Sequence, residues 1–283
     1  MKKIAVSLLL FFSITSCSDK KKENIKEYFF PNSNEVEIRA ETKNNRLDGK
    51  YLEFYRGGKI KKEAWFKQGN KEGKSVTYHE NGKISILEYF KEGKLDSVRS
   101  LYGVTGKVYK VESYLEGKKN GRWLTQYESG KPFQEFNYLD GEFDGKQTVF
   151  YEGGKIKSTA YFHKGRPGKL EEYTESGNLI TYSVSIIMKE ENKLAFTGEY
   201  KYKFKLNKPS KHDKFYMGEM EDGEYLPVGR FPLEKEGDYF VKSFIIPKGA
   251  FLMTPFTIIA VTKTASGKEL VTSKKINMAI NNY

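Results

Sequence analysis

The chain has 283 residues, of which 38% are hydrophobic, and its mean hydropathy is -0.67. Apart from its N-terminal residues, the chain therefore contains no hydrophobic stretch that could cross a bilayer as a helix. Its 26 glycines, 20 tyrosines and 20 phenylalanines against 8 prolines disfavour disorder and helical bundles, and they favour packed β-structure with many tight turns. One cysteine and three histidines leave little material for metal or thiol chemistry, so the composition predicts no metal site and no cofactor.

The first residues have the layout of an export signal. Lys2 and Lys3 precede an apolar run from Ile4 to Phe12, which is too short to span a membrane. The stretch from Ile14 to Cys17 resembles the lipobox of bacterial lipoproteins, which implies removal of residues 1–16 and lipidation of Cys17. A stray thiol after an ordinary signal peptide is the alternative. We expect a lipid-anchored protein of the cell envelope at the outer membrane, with the periplasmic or surface side left open.

Residues 17–34 are charged and lack a regular hydrophobic pattern. Such a composition predicts a tether that lifts a folded body off a lipid surface. The formal net charge of +12 would suit nucleic acid, but export argues against that partner.

From residue 35 to about 182 the sequence repeats with a period of 24 residues. Glycine–lysine pairs, second glycines and aromatic residues recur in register over five copies. The aromatic column consists of Phe66, Phe90, Tyr114, Tyr138 and Phe162. Each unit contains two extended runs separated by glycine-bearing turns. The sequence therefore predicts an all-β fold, with a single-layer antiparallel β-meander over residues 35–183.

These units resemble the MORN repeat (membrane occupation and recognition nexus), in particular a bacterial variant that reads roughly aromatic-x-x-Gly-Lys, then an aromatic residue, then Gly-x-x-x-Gly. The resemblance covers roughly half of the chain and implies an architecture more than an activity. Proteins with such repeats are broadly described as surface or envelope proteins and as antitoxin-like partners in toxin systems. The third copy departs from the pattern, because Ser97 and Val98 replace a glycine and a lysine.

Strict alternation of side chains along the strands sorts the repeats into two faces. One face carries the aromatic column and is the predicted core. The other face is the candidate binding face, and it consists of Tyr55, Trp65, Tyr89, Trp123, Tyr127, Tyr151 and Tyr161. Flat side chains that merely cover the sheet are one interpretation of this face. An aromatic ladder that stacks on sugars or anchors a protein partner is the other.

A column of lysines follows the glycines of the first turn. It consists of Lys59, Lys83, Lys107, Lys131 and Lys155. These cations are candidate contacts for an anionic surface such as lipid headgroups or lipopolysaccharide phosphate. Solubility and protection of the sheet edge are the alternative explanation. Glutamates interleaved with these lysines argue against a strongly positive electrostatic field.

After Tyr182 the period ends, and residues 184–283 show a different all-β pattern. Residues 196–206 alternate between apolar and polar side chains, which predicts a half-buried strand. Further strands are predicted at Ser183–Met188, Phe215–Met220, Tyr239–Ile246, Phe256–Thr262 and Glu269–Ile276. This succession predicts a C-terminal β-sandwich of immunoglobulin-like type, without the cysteine pair of that fold.

The sequence contains no HExxH, GxSxG, P-loop or dinucleotide motif, and its histidines share no spacing. We therefore predict a non-enzymatic lipoprotein whose repeat sheet is a platform for protein–protein interaction or scaffolding, with an envelope or secreted protein as its partner. Two alternatives stay open. One is an antitoxin- or immunity-type protein that binds a single toxin; the other is a module that binds polysaccharide or a lipid surface through the aromatic ladder.

Overall fold

The computed structural model describes residues 24–222 and 225–283. Most of them lie in one large antiparallel sheet formed by the repeats and two small sheets at the C-terminus. The predicted signal peptide over residues 1–16, the lipidation site Cys17 and the predicted tether up to residue 23 lie outside the described residues.

The large sheet contains 18 strands. They are β1 (Asn24–Phe29), β2 (Val36–Lys43), β3 (Arg46–Phe54), β4 (Ile60–Lys67), β5 (Asn70–Lys71), β6 (Gly73–Tyr78), β7 (Ile84–Lys91), β8 (Lys94–Leu95), β9 (Ser97–Tyr102), β10 (Val108–Leu115), β11 (Lys118–Lys119), β12 (Gly121–Gln126), β13 (Pro132–Leu139), β14 (Glu142–Phe143), β15 (Gly145–Phe150), β16 (Ile156–His163), β17 (Arg166–Tyr173) and β18 (Leu179–Ile180). Each two-residue strand from β5 to β14 pairs with the strand before it, which also pairs with the strand after it. The predicted antiparallel meander is therefore confirmed.

The sheet begins earlier than the sequence pattern predicts. Strand β1 pairs antiparallel with β2, beginning with Asn24 opposite Thr42. The Thr42 hydroxyl also donates a hydrogen bond of 2.7 Å to the Asn24 carbonyl oxygen. The prediction of a tether over 17–34 is therefore wrong at residues 24–29. Backbone pairing with β2 stabilises this segment, although it lacks hydrophobic alternation.

Two kinds of turn alternate along the meander. At one edge the Tyr55 N–H donates to the Lys59 carbonyl oxygen at 2.8 Å, which closes the glycine–lysine turn. At the other edge Gln68 and Gly69 have φ values of 50° and 92°, as in the tight hairpin turns that favour glycine. The Gly69 N–H donates to the Leu47 carbonyl oxygen at 2.7 Å, and the equivalent glycines repeat this bond. Each turn of the second kind is thus fixed to the preceding repeat.

A β-bulge next to each glycine–lysine turn shifts the register of the hairpin. Between β3 and β4, Glu53 lies opposite Lys62, whereas Phe54 lies opposite Ile60. The same shift occurs in the four hairpins that follow. One strand of the hairpin has an extra residue at the bulge. Beyond the bulge, its side chains therefore point to the face opposite to the one that simple alternation through the turn would give. The strands before and after this turn therefore cannot be sorted into faces by simple counting.

The C-terminal region consists of two four-stranded antiparallel sheets, in the orders β19-β20-β24-β23 and β22-β21-β25-β26. Its elements are β19 (Ile186–Lys193), α1 (Leu194–Thr197), β20 (Glu199–Leu206), β21 (Lys214–Met217), β22 (Phe231–Pro232), β23 (Glu234–Glu236), β24 (Tyr239–Ile245), β25 (Ala250–Lys263) and β26 (Glu269–Asn282). Phe204 and Tyr202 from the first sheet pack with Phe215, Ile258 and Met278 from the second in one buried cluster. The predicted β-sandwich is therefore confirmed.

The strand predicted over residues 196–206 begins only at Glu199. Leu194–Thr197 instead form the single helical turn α1, and Gly198 ends it with a left-handed φ of 70°. Glycine adopts that conformation without steric cost, which is why it commonly terminates helices. Phe196, the first apolar residue of the predicted alternation, lies in this helical turn and is exposed.

The sandwich packs against the last repeat strands. The Arg166 guanidinium of β17 forms an ion pair with Glu221. Glu172, also on β17, is buried and accepts hydrogen bonds from the hydroxyl groups of Tyr182 and Ser266. Burial and the bond to Glu172 raise the pKa of Tyr182 to about 12. This junction joins the repeats to the sandwich through paired polar groups.

Candidate binding surface

The tyrosines that open the turns at one edge hold neighbouring repeats together. The Tyr55 hydroxyl donates to the carbonyl oxygen of Tyr78 at 2.8 Å. Tyr127 and Tyr151 make the same bond to the following repeat at 2.7 and 2.8 Å, and His79 Nε2 takes this role at 2.9 Å. We call this row the tyrosine ladder. Tyr55, Tyr127 and Tyr151 were predicted for the binding face, yet their polar ends are engaged within the protein.

The predicted lysine column lies along the same edge, and all five of its members are exposed. Lys59, Lys83 and Lys155 donate from Nζ to a turn carbonyl of the next repeat at 3.0, 2.8 and 3.1 Å. Because an ammonium group has three donors, this bond leaves donors free to face solvent. The column is thus compatible with contact to an anionic surface. Three of its lysines also link adjacent turns through hydrogen bonds.

Three predicted residues share one face of the meander, which we call the opposite face. Trp65 and Tyr89 are 48% and 39% exposed there, and Tyr161 is half-buried. The two intervening positions of this column are Ser113 and Asn137. The aromatic ladder predicted for this face is therefore interrupted in the middle of the sheet.

The placement of Trp123 on the binding face is wrong, because its side chain is only 5% exposed. Trp123 lies directly opposite Phe136 and contacts the rings of Phe136 and Tyr138 at centroid distances of 5.8 and 4.8 Å. The bulge beside the turn explains the error, since it reverses the alternation between β12 and β13. Trp123 therefore belongs to the face that carries the aromatic column.

That face, which we call the aromatic face, presents an unbroken row of rings. Its column comprises Phe66, Phe90, Tyr114, Tyr138 and Phe162, all of them half-buried. Tyr138 stacks on Phe143 at 4.7 Å, and Phe143 contacts Phe162 at 5.3 Å. The main strand contacts of β3 to β16 are all with neighbours in the same sheet. The face predicted to be the core is thus one surface of a single layer.

Lysine side chains lie among these rings. Lys119 Nζ lies 4.5 Å from the Trp123 ring and 4.8 Å from the Tyr138 ring, and Lys71 Nζ lies 4.7 Å from the Phe90 ring. Such cation–π contacts stabilise a positive charge against an apolar surface. Burial, together with repulsion from Lys62, lowers the pKa of Lys71. The aromatic face therefore combines apolar area with fixed positive charge.

The divergent third copy places a cluster of charges on the same face. Glu112 is 2% exposed and pairs with Arg99 at 3.3 Å and with Lys110 at 2.5 Å. Arg99 also pairs with Glu88 of the preceding repeat at 3.0 Å. Burial, followed by the charge of Glu112, raises the pKa of Tyr114. Because each buried charge has a partner, the cluster is suited to a structural role.

The tyrosine ladder is interrupted in the same copy. Gly103 occupies the tyrosine position, so no side chain there reaches the carbonyl group of Gln126. Gln126 Oε1 and Thr125 Oγ1 are buried and have no hydrogen-bond partner among the described residues. The third copy therefore differs from its neighbours at both the edge and the aromatic face.

Two further features are absent from residues 24–222 and 225–283. In those ranges no group of three or more His, Cys, Asp or Glu side chains is placed to hold a metal ion. Within the same part of the chain no helix is long and apolar enough to cross a membrane.

Fold and surface together define a single-layer β-repeat protein joined to a β-sandwich. Four segments match the family model described as MORN repeat variant, at residues 47–68, 71–92, 119–140 and 143–164. The repeats are therefore MORN-like, as the sequence motifs indicated. The match leaves out residues 93–118, which form the divergent third copy. No curated protein matches the chain.

The residues that line the aromatic face beside its column were not predicted from the sequence. Each lies directly opposite a column residue across the tight turn, as Lys71 does to Phe66 and Phe143 does to Tyr138. These positions also recur every 24 residues, at Lys71, Leu95, Lys119, Phe143 and Pro167. A second column in this register was the signal that could have revealed them.

Proposed function

We propose that this chain is a non-enzymatic scaffold whose aromatic face binds an extended segment of another protein. MORN repeats are often protein or membrane interaction modules, which is compatible with this role. The observation that carries the proposal is the row of half-exposed rings from Phe66 to Phe162, which crosses five repeats without interruption. Aromatic side chains supply large contact areas and dominate the binding energy of many interfaces.

The chemistry of the face indicates what the partner segment must offer. Rings require apolar side chains, and Lys71 and Lys119 favour carboxylates at intervals along the segment. Adjacent repeats are two strand spacings apart, or ~9.6 Å, so the face suits a long segment better than a compact ligand. An acidic, apolar stretch of an envelope or secreted protein fits these requirements.

We place this scaffold at the cell envelope, held by a lipid on Cys17. The basis is the lipobox-like stretch before Cys17 and the exposed lysine column, whose free donors suit an anionic membrane surface. Metabolic labelling with a clickable fatty acid tests the anchor. Labelling of the natural chain and none of Cys17→Ser is expected, and equal labelling of both would contradict lipidation at this position.

Capture in cells tests the binding face. We suggest chemical crosslinking followed by purification of the natural chain and of two charge-reversed double variants. Phe90→Ser with Lys119→Glu alters the aromatic face, whereas Trp65→Ser with Lys74→Glu alters the opposite face in a matched way. Circular dichroism and thermal unfolding check that both variants fold.

Loss of the captured protein in the aromatic-face variant alone supports the proposal. Loss in the opposite-face variant alone would overturn it in favour of the exposed Trp65 and Tyr89. Capture of polysaccharide without protein would also overturn it and would favour a glycan-binding module. If the captured protein is a single toxin, the partner is the one expected of an immunity protein.

A further inference from the structure

One long strand of the sandwich is paired along only part of one side. Strand β25 pairs with β26 over its whole length, beginning with Ala250 opposite Asn282. On its other side, β21 pairs with residues 258–261 alone. Within the part of the chain that the structure describes, residues 250–256 therefore have no strand on that side. We call this segment the open edge.

Alternate residues of the open edge direct their backbone groups away from β26. The Gly218 N–H donates to the Thr257 carbonyl oxygen at 3.1 Å, so the Thr257 carbonyl group points to the side of β21. In an extended strand every second residue points its N–H and C=O groups to the same side, and the pairing of β25 with β26 has no register shift. Phe251, Met253 and Pro255 therefore direct their carbonyl groups to the open side. Phe251 and Met253 also direct an N–H group there, which proline lacks.

The open edge is also apolar. Its sequence, Ala-Phe-Leu-Met-Thr-Pro-Phe, contains no charged residue. Phe251 and Met253 are 60% and 73% exposed, and they lie on the same face of the strand. The residues opposite them on β26, Asn281 and Ala279, are uncharged as well. The open edge therefore offers unpaired backbone groups and exposed apolar side chains together.

The other edge strands of the sandwich are protected in ways that this segment lacks. Sheet edges usually carry charges, stay very short or contain proline, because unpaired backbone groups attract strands of other chains. Strands β19, β23 and β26 contain lysine or glutamate, and β22 has two residues, one of which is Pro232. The open edge has only Pro255, near one end. Such a segment is suited to pairing with another strand.

We propose that the open edge pairs antiparallel with the open edge of a second copy of this chain, about a two-fold axis at Leu252. In this register Phe251 of each copy lies opposite Met253 of the other. Both residues have free N–H and C=O groups, so the two pairs form four backbone hydrogen bonds. A register centred on Met253 would instead press the Pro255 ring, which has no N–H, against the backbone of Phe251.

The chemistry of the open edge matches a copy of itself. No charge on one copy requires an opposite charge on the other, and each pair brings a thioether against an aromatic ring, which is a favourable contact. A single pair of strands is a small interface, so the dimer belongs to the weak class. The lipid anchor proposed at Cys17 would hold copies in one layer and raise their local concentration. The pairing itself depends neither on this anchor nor on the aromatic face.

Sedimentation velocity from micromolar to millimolar concentration measures the association. All variants are made in the full chain with Cys17→Ser, which removes the lipidation site and the single native thiol. This chain should change from monomer to dimer as its concentration rises. Met253→Lys should weaken the dimer by about tenfold, because the two-fold axis repeats the change in two cross-strand pairs.

Asn277→Lys is the matched control for the added charge. Asn277 is exposed on β26, opposite Pro255 and one strand away from the open edge, so dimerisation should not change at physiological salt. A chain that stays monomeric over the whole range would overturn the proposal. Equal dimerisation with and without Met253→Lys would overturn it as well.

Two further variants separate backbone pairing from adhesion between apolar side chains. Met253→Ala and Met253→Pro both remove the thioether, but only proline removes the N–H group that faces the second copy. The pairing of β25 with β26 does not use this N–H, and proline is tolerated at such edge positions, as Pro255 is. Met253→Pro should abolish the dimer and Met253→Ala should only weaken it, with thermal unfolding as the check on folding. Equal dimerisation of the two variants would contradict pairing through the backbone.

Engineered thiols test the register. Phe251→Cys and Met253→Cys chains are mixed and oxidised in a glutathione buffer, since directly opposite residues are close enough to form a disulfide. The mixed disulfide should exceed both disulfides between like chains, and Asn277→Cys should form none above background. Equal amounts of all these disulfides would indicate random collision and would overturn the proposal.

Discussion

The repeats and the sandwich bury their side chains in different ways. In the sandwich, large side chains such as Phe204 and Ile258 are completely enclosed between two sheets. In the meander, the completely buried residues are the small Ala64 and Ser158, while the five rings of the aromatic column stay half-buried. A two-layer domain closes its core, whereas a single layer repeats one set of local contacts from hairpin to hairpin.

This difference has a consequence for stability. When one large side chain is removed from a closed core, many surrounding residues lose packing contacts. The stability of a repeat array depends mainly on the interactions between neighbouring repeats. The hydrogen bonds of the tyrosine ladder and the contacts between rings therefore stabilise the meander. Its aromatic side chains can stay accessible to a partner without loss of the fold.

The largest effect is expected in the sandwich core. Phe204→Ala should lower the free energy of unfolding by about 3 to 5 kcal/mol, because it leaves a cavity between two packed sheets. Phe196→Ala is the matched control, since Phe196 is 90% exposed in the same region, and should change stability by less than about 0.5 kcal/mol. Denaturant unfolding followed by circular dichroism measures both. Equal losses in the two variants would contradict the closed core.

The next effect distinguishes the two tryptophans of the meander. Trp123→Ala should cost about 2 to 3 kcal/mol, less than a closed core loses, because neighbouring rings can move into the gap. Trp65→Ala should cost less than about 0.5 kcal/mol, since Trp65 is exposed.

Each tryptophan variant also leaves a single tryptophan, whose fluorescence can be excited selectively, because the chain contains two tryptophans. Acrylamide should quench Trp65 strongly and Trp123 weakly. Equal quenching would show that the aromatic face is more open than its burial indicates.

A smaller effect tests the tyrosine ladder. Gly103→Tyr should raise the free energy of unfolding by about 1 kcal/mol, because it restores the missing bond to the Gln126 carbonyl and reduces the freedom of the unfolded chain. The position can accept a side chain, since its backbone is not left-handed and the nearest atoms to an added Cβ are 3.9 Å away. Thermal or denaturant unfolding of the full chain provides the measurement.

Tyr127→Phe is the reciprocal control for the ladder. It removes only the hydroxyl that bonds to Phe150 and should cost about 1 kcal/mol. If Gly103→Tyr and Tyr127→Phe both left stability unchanged, the ladder would not be what joins the repeats.

The sequence predicted the architecture of the meander because its signals are local. The glycines at Gly58 and Gly69 fix turns of two kinds, and the 24-residue period repeats them. The faces were less predictable. A bulge places Trp123 on the aromatic face, and the pattern of polar and apolar residues gives no sign of that bulge. Lys119 was missed for a related reason, since its cation–π contacts depend on the pairing across the tight turn.

Long-range pairing explains the other differences. Strand β1 owes its structure to an edge supplied by β2, which its own charged sequence does not indicate. The stacked rings of Phe215 and Phe240 belong to strands β21 and β24, which meet only in the folded sandwich. Such features require knowledge of which segments come together, and single-sequence patterns do not contain it.

The smallest effect concerns the junction between the two regions. Burial and the bond to Glu172 raise the pKa of Tyr182 from 10.0 to about 12, so the folded chain holds a proton that the unfolded chain releases. This stabilisation is complete below pH 10 and is lost as the pH rises towards 12. Its size should stay below about 1 kcal/mol, because solvent reaches the group and screens it.

Thermal unfolding across this pH window tests the junction. Tyr182→Phe should lose less stability between pH 10 and pH 12 than the natural chain does, whereas Tyr283→Phe, at the exposed C-terminus, should behave like the natural chain. If the repeats and the sandwich unfold as one unit, the alkaline loss appears in a single transition. If the junction is their main link, raising the pH should separate the transition of the repeats from that of the sandwich. An identical pH profile for Tyr182→Phe and the natural chain would show that Glu172 and Tyr182 do not couple the two regions.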